Sequence, residues 1–188
     1  MRRSPCFLGA LLAALLGAPA EALGQHGLRL GAAGQYVDQN GPLGGFSGLG
    51  LVLSASVGLA RWVGVRAEGD FAALRAGDQI AICIPVTGGC LAQPSAHSLL
   101  GLTGAVEVRV PFPVVAPFLA AGPTYRRAIG SKLPGGSRRA WVEPSVEAGA
   151  RVALGGVEWS LSARWRRGDR WLDGDPYSEL GLLVGLRF

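Results

Sequence analysis

The chain has 188 residues, enough for one domain and short for two. Charged residues make up 16% of it and glycines number 30, against about 25% charged and about 7% glycine in ordinary soluble proteins, which excludes a conventional charged, water-facing surface. The net charge of +5 is scattered rather than gathered into runs, which argues against a nucleic-acid partner.

The first element in the chain is a leader. Arg2 and Arg3 precede an apolar run over 7–16, and Ala18, Ala20 and Ala22 follow it. A charged segment, a short apolar segment and an A-x-A site predict a Sec signal peptide, residues 1–22, cut after Ala20 or Ala22. Its removal takes away Arg2, Arg3 and Glu21, so +5 becomes +4. Cys6 lies ahead of the apolar run rather than behind it, so lipidation is not expected. After residue 25 no stretch offers the roughly 20 consecutive apolar residues of a membrane helix.

Residues 26–188 alternate apolar and polar positions with period two, the signature of half-buried strands. In 26–37, Leu28, Leu30, Ala32 and Tyr36 oppose Arg29 and Gln35. In 47–60, Leu49, Leu51, Leu53, Ala55, Val57 and Leu59 alternate with glycine, serine and Val52. In 62–73, Val63, Val65, Ala67 and Phe71 oppose Arg66, Glu68 and Asp70. A segment at 98–110 sets Leu100, Leu102, Val106 and Val108 against Thr103, Glu107 and Arg109. At 114–126, Val115, Leu119, Ala121 and Tyr125 oppose Thr124 and Arg126. At 141–153, Val142, Val146, Ala148, Ala150 and Val152 oppose Glu143, Ser145, Glu147 and Arg151. At 157–166, Val157, Trp159, Leu161, Ala163 and Trp165 oppose Glu158, Ser160, Ser162, Arg164 and Arg166. The last segment, 178–188, places Leu180, Leu182, Val184, Leu186 and Phe188 opposite Glu179, Gly181, Gly185 and Arg187.

These eight segments each approach the roughly 9 to 11 residues with which a tilted strand crosses a bilayer. Short turns at Ala60-Arg61, Pro111-Phe112-Pro113 and Leu154-Gly155-Gly156 alternate with longer links at 38–46, 74–97, 127–140 and 167–177. The pattern predicts an all-β fold: an eight-stranded antiparallel up-and-down transmembrane barrel, both termini at the short-turn rim and the longer loops outside. Pro117, Pro123 and Pro144 each remove a ladder hydrogen bond, and Pro144 falls near the middle of its strand.

A secreted barrel of the same size hides its apolar face inside, whereas a membrane barrel turns it to lipid. Here the polar faces carry Arg29, Arg66, Arg109, Arg126, Arg151, Arg164, Arg166 and Arg187 against Glu68, Asp70, Glu107, Glu143, Glu147, Glu158 and Glu179. Near-neutral pairing and arginine in place of lysine suit an enclosed space; the single lysine, Lys132, falls in a loop. Eight strands leave an interior that side chains fill, so a salt-bridged plug is expected and a wide porin is not. A narrow channel for small solutes is the alternative. Aromatic girdles are expected at Tyr36, Phe71, Tyr125, Trp141, Trp165 and Tyr177 near the long loops, and at Trp62, Phe112, Trp159 and Phe188 near the short turns.

The strand start "PFLAAGPTY" and the closing "ELGLLVGLRF" resemble the small outer-membrane β-barrels of the OmpA, OmpX and opacity-protein kind, along the whole length from about Leu28 to Phe188. The resemblance implies the bacterial outer membrane and its lipid as surroundings. It also implies that barrel-assembly machinery reads Leu180, Leu182, Val184, Leu186 and Phe188, with Tyr177 as an alternative to Leu180.

Cys83 and Cys90 remain after leader removal; in an exported chain a disulfide is expected, two free thiols or a metal pair being the alternative. Some small barrels of this kind act on lipid A, but His97 and Ser98 are adjacent, and adjacent strand residues face opposite ways. No enzyme activity, cofactor or metal is therefore expected. The reading is a monomeric structural barrel that displays loops, chiefly 74–97, for adhesion or contact with an extracellular ligand, a locally packed loop that binds nothing being the alternative.

Overall fold

The structure, a computed structural model, describes residues 27–41, 44–76, 82–84, 89–91, 96–110, 112, 114–129, 140–154, 157–168 and 177–188. The leader, Lys132 and most of the loop residues lie outside these.

The described residues form ten strands: β1 (Arg29–Gly41), β2 (Gly44–Gly58), β3 (Val63–Ala76), β4 (Ile82–Ile84), β5 (Gly89–Leu91), β6 (Ala96–Arg109), β7 (Val115–Ile129), β8 (Ala140–Leu154), β9 (Val157–Gly168) and β10 (Tyr177–Arg187). Eight of them close into a barrel in the order β1-β10-β9-β8-β7-β6-β3-β2, and β4 and β5 make a separate two-stranded ribbon between β3 and β6. All pairs are antiparallel. Closure runs from Gly31↔Arg187 to Asn40↔Ser178, and Leu30 and Phe188 exchange backbone hydrogen bonds of 3.3 and 2.9 Å at its end. Closure gives each edge a partner, the condition for strands to lie in lipid.

The alternation turns most of the leucines outward. Leu49, Leu51, Leu53, Leu102, Leu161, Leu180 and Val184 are all exposed, while Gln35, Glu68, Asp70, Glu147 and Arg164 are buried. An inside-out distribution of this kind excludes a barrel with an apolar lumen facing water.

One expected link is not a loop. Over 38–46 the strands continue, pairing through to Gly41↔Gly44, so only 42–43 separate β1 from β2. Gln39 and Phe46 keep the inward phase through this stretch, and its polar composition reflects strands rising above the apolar band, not a break in them. The strands on either side of the other three long links also reach further than expected, so that these links span 77–95, which carries the β4–β5 ribbon, 130–139 and 169–176.

Pro144 does not break its strand. It stands directly opposite Pro123 across β7 and β8, a position where neither nitrogen is asked to donate between those two strands. The missing donors appear on the outer sides instead. The β6–β7 ladder skips the residues between Thr103↔Thr124 and Val106↔Ala121, and the β8–β9 ladder begins only at Ser145↔Arg166. Pro117 shares the orientation of Pro123: its carbonyl accepts from Val110 N at 2.9 Å, and its ring nitrogen has nothing to return.

Candidate functional site

The inward phase of eight strands brings the sequence-predicted charges into one column. Arg66, Arg126, Arg151, Arg164, Arg166 and Arg187 are buried with an equal number of carboxylates, Glu68, Asp70, Glu107, Glu143, Glu147 and Glu179. Arg29, Arg109 and Glu158 are half-buried.

Nearest the long-loop rim, Arg126 is wholly enclosed. It donates to Asp70 at 2.6 Å, to Glu143 at 3.3 Å and to Glu179. Arg166 completes the group, reaching Asp70 at 2.9 Å and Glu179 at 2.8 Å, and Gln39 also donates to Glu179, at 2.6 Å. Room for Asp70 comes from its cross-strand partner Gly101, where a Cβ would lie 2.2 Å from Asp70 Oδ1.

The middle of the column is a second group. Arg164 contacts Glu68 and Glu147, each at 2.5 Å; Arg66 contacts Glu68 at 2.9 Å, Glu147 at 2.7 Å and Glu107 at 3.5 Å. Ser162 donates to Glu147 at 2.8 Å. Arg151 takes both oxygens of Glu107, at 2.6 and 2.5 Å, and lies 4.2 Å above the Phe118 ring. Fork-to-carboxylate pairing is the strongest ion-pair geometry available to these side chains, and buried charges require it. A cavity of about 40 Å³ among Arg66, Glu147, Arg151 and Ser162 is large enough for ordered water.

At the short-turn rim Arg29 pairs with Glu158, and Arg187 donates to Ser56 at 2.6 Å while standing 3.7 Å from Glu107. A cavity of about 180 Å³ opens here, lined by Arg29, Ser56, Glu107, Arg109 and Arg187.

The opposite end is different. Val37, Phe46, Ala72, Leu74, Leu99, Ala128, Trp141 and Tyr177 form a buried apolar layer inside the barrel, above the Arg126 group. Phe46 meets His97 edge-on, ring centres 4.8 Å apart. Trp141 Nε1 donates to Glu143 at 2.8 Å, and the Tyr177 hydroxyl also donates to Glu143, tying the layer to the charges beneath it. Gly168, opposite Tyr177, leaves the space that its ring occupies: a Cβ there would lie 2.1 Å from Tyr177 Cε1.

This layer corrects the expected girdle. Trp141 and Tyr177 point inward, because 141 shares the phase of Glu143 and 177 that of Glu179; grouping them with lipid-facing residues runs against the alternation. Tyr177 is likewise not part of the outward row at the C-terminal end. Tyr36, Phe71, Tyr125, Trp165, Trp62, Phe112, Trp159 and Phe188 do face outward, as do Leu180, Leu182 and Val184, with Leu186 half-buried. His97 is buried inside, and Ser98 takes the other face. Cys83 and Cys90, whose backbone alone is described, are register partners in the β4–β5 ribbon.

The model of the outer membrane protein beta-barrel domain family matches residues 7–188. No curated protein is significantly similar to the chain in sequence. Among solved structures, Neisserial surface protein A (NspA) superposes with a TM-score of 0.63 at 18% identity, covering 86% of this chain and 96% of that one. Ail, the attachment invasion locus protein of Yersinia pestis, gives 0.48 at 16% identity, with 86% and 97% covered. The N-terminal β-barrel domain of Pseudomonas aeruginosa OprF gives 0.45 at 13%, with 84% and 97% covered. Likeness at these identities speaks to fold.

Proposed function

Because this chain belongs to the outer membrane protein beta-barrel domain family, we propose that it is a monomeric barrel whose interior passes no solute and whose role lies in what it displays outside the cell. Residues 1–22 serve as its Sec signal and are removed. Barrel-assembly machinery reads the outward row Leu180, Leu182, Val184, Leu186 and Phe188.

The observation that carries this reading is the apolar layer of Val37, Phe46, Leu74, Leu99, Trp141 and Tyr177 over a column of paired charges. An ion entering from the long-loop rim would have to shed its water among groups that offer no replacement for it, and then displace arginines from their carboxylates. With the bore closed, the exposed chemistry is at the loops, and the largest loop is 77–95 with its ribbon. We read Cys83 and Cys90 as disulfide-bonded across that ribbon. Register partners in antiparallel strands have Cα atoms about 4.5 to 5.5 Å apart, inside the usual disulfide range of about 4.4 to 6.8 Å.

An epitope inserted between residues 84 and 89 tests the display. Antibody should label it on intact cells, whereas an epitope at the Ala60-Arg61 turn should be labelled only after permeabilisation. The reverse pattern would overturn the orientation and with it the display role.

A further inference from the structure

Among the described residues, three arginines on the outer wall near the long-loop rim have no part in the interior column. Arg75 on β3, Arg127 on β7 and Arg167 on β9 are exposed and in the outward phase. On each strand an outward aromatic lies two or four residues nearer the membrane on the same face: Phe71, Tyr125 and Trp165. Aromatics mark the level of the membrane interface, so each arginine stands just beyond it. There the cost of a charge on the lipid face falls to roughly 0–1 kcal/mol, from about 2–4 at the bilayer centre.

The three are also grouped around the barrel. β3, β6, β7, β8 and β9 are consecutive in its order. Among the described residues, the outward face of these five strands carries no acidic side chain at all. Among the described residues, the outward acid of the long-loop rim is Asp38, on β1, separated from the arc by β2 on one side and β10 on the other. A coat that served only solubility would mix signs. A one-signed arc at headgroup height fits a phosphorylated partner, and the guanidinium fork matches phosphate oxygens two at a time.

We propose that Arg75, Arg127 and Arg167 form a binding arc for the phosphate groups of a glycolipid in the surrounding leaflet. The proposal rests on the outer-membrane reading with the long-loop rim outside, where such a lipid would meet the arc. Binding orients the barrel at a fixed depth and gathers this lipid on one side of it.

The test uses the full mature chain refolded in detergent, with heat-modifiable gel migration checking separately that the barrel has formed. Native mass spectrometry then counts diphosphoryl lipid A retained per barrel. The wild type should retain it, and the Arg75→Gln/Arg127→Gln/Arg167→Gln variant should bind about tenfold or more weakly, since each basic residue near an anionic lipid surface contributes roughly fivefold and exposed pairs contribute less. Arg61→Gln, at the other rim, should bind as the wild type does. Dephosphorylated lipid A and phosphatidylglycerol should both be retained about tenfold less well than the diphosphoryl form. Equal retention by the triple variant, or of either control lipid, would overturn the arc while leaving the folded barrel intact. A chain that never becomes heat-modifiable would sink the barrel reading as well.

Discussion

Arg126 has three carboxylates within hydrogen-bonding reach, Asp70, Glu143 and Glu179, and none of the four is open to solvent. Replacing it by methionine leaves Asp70 and Glu179 to Arg166 and leaves Glu143 with only the Trp141 and Tyr177 donors and no cation, and an unpaired buried charge costs about 3–5 kcal/mol. Denaturant unfolding of Arg126→Met in vesicles should show a loss of that size, and Arg126→Lys should fall between it and the wild type because a point charge cannot span three acceptors. A loss under about 1 kcal/mol for the methionine variant would mean that the column is not a tightly coupled network. At Gly168 the effect is steric. A methyl group there must displace the Tyr177 ring, and overpacking of this sort costs about 1–3 kcal/mol. The cost should largely vanish in the Gly168→Ala/Tyr177→Ala pair, measured as a double-mutant cycle; additive losses would deny the contact. On the outer wall, Leu161→Arg should cost about 2–4 kcal/mol in the bilayer, although Arg167 lies on the same face of β9, because Leu161 sits between Trp159 and Trp165 and Arg167 lies beyond them.

Among the elements, β8 is the informative strand. Its proline is tolerated because Pro123 opposes it and because the lost donors fall on ladders that skip or end there. Pro144→Ala should therefore leave heat-modifiable folding unchanged, and loss of folding would show that the paired prolines are required rather than merely accommodated. The strands and their phase are legible in the amino-acid pattern alone, since Leu49, Leu51 and Leu53 can share a face only if the period is two. Their ends are not. Polarity at 38–46 reads as a loop, whereas β1 and β2 simply continue beyond the membrane. The same shortening hides Arg75, Arg127 and Arg167, each of which lies one or two residues past a segment's expected end and continues its outward phase. Trp141 and Tyr177 are legible, by the same parity that places Glu143 and Glu179. What no pattern can reveal is which arginine meets which acid: Arg164 and Glu68, 96 residues apart, come from strands that are not neighbours in the barrel.

For the whole molecule, the layers stack along one axis. A half-open cavity with Arg109 and Arg187 lies at the short-turn rim, paired charges occupy the middle, and an apolar layer lies across the long-loop end. Membrane crossing needs only the outer wall, so the interior is free to specify closure, and the loops are free to vary without disturbing it. Planar-bilayer recording of the purified, refolded barrel tests this stacking most directly. The wild type should give no steady discrete conductance, and neither should a variant that opens only the long-loop end, Trp141→Ala/Tyr177→Ala/Arg126→Ala, because the pairs of Arg66, Arg151 and Arg164 still fill the middle of the bore. Steady single-channel steps from the wild type would contradict a closed interior and make the protein a narrow channel.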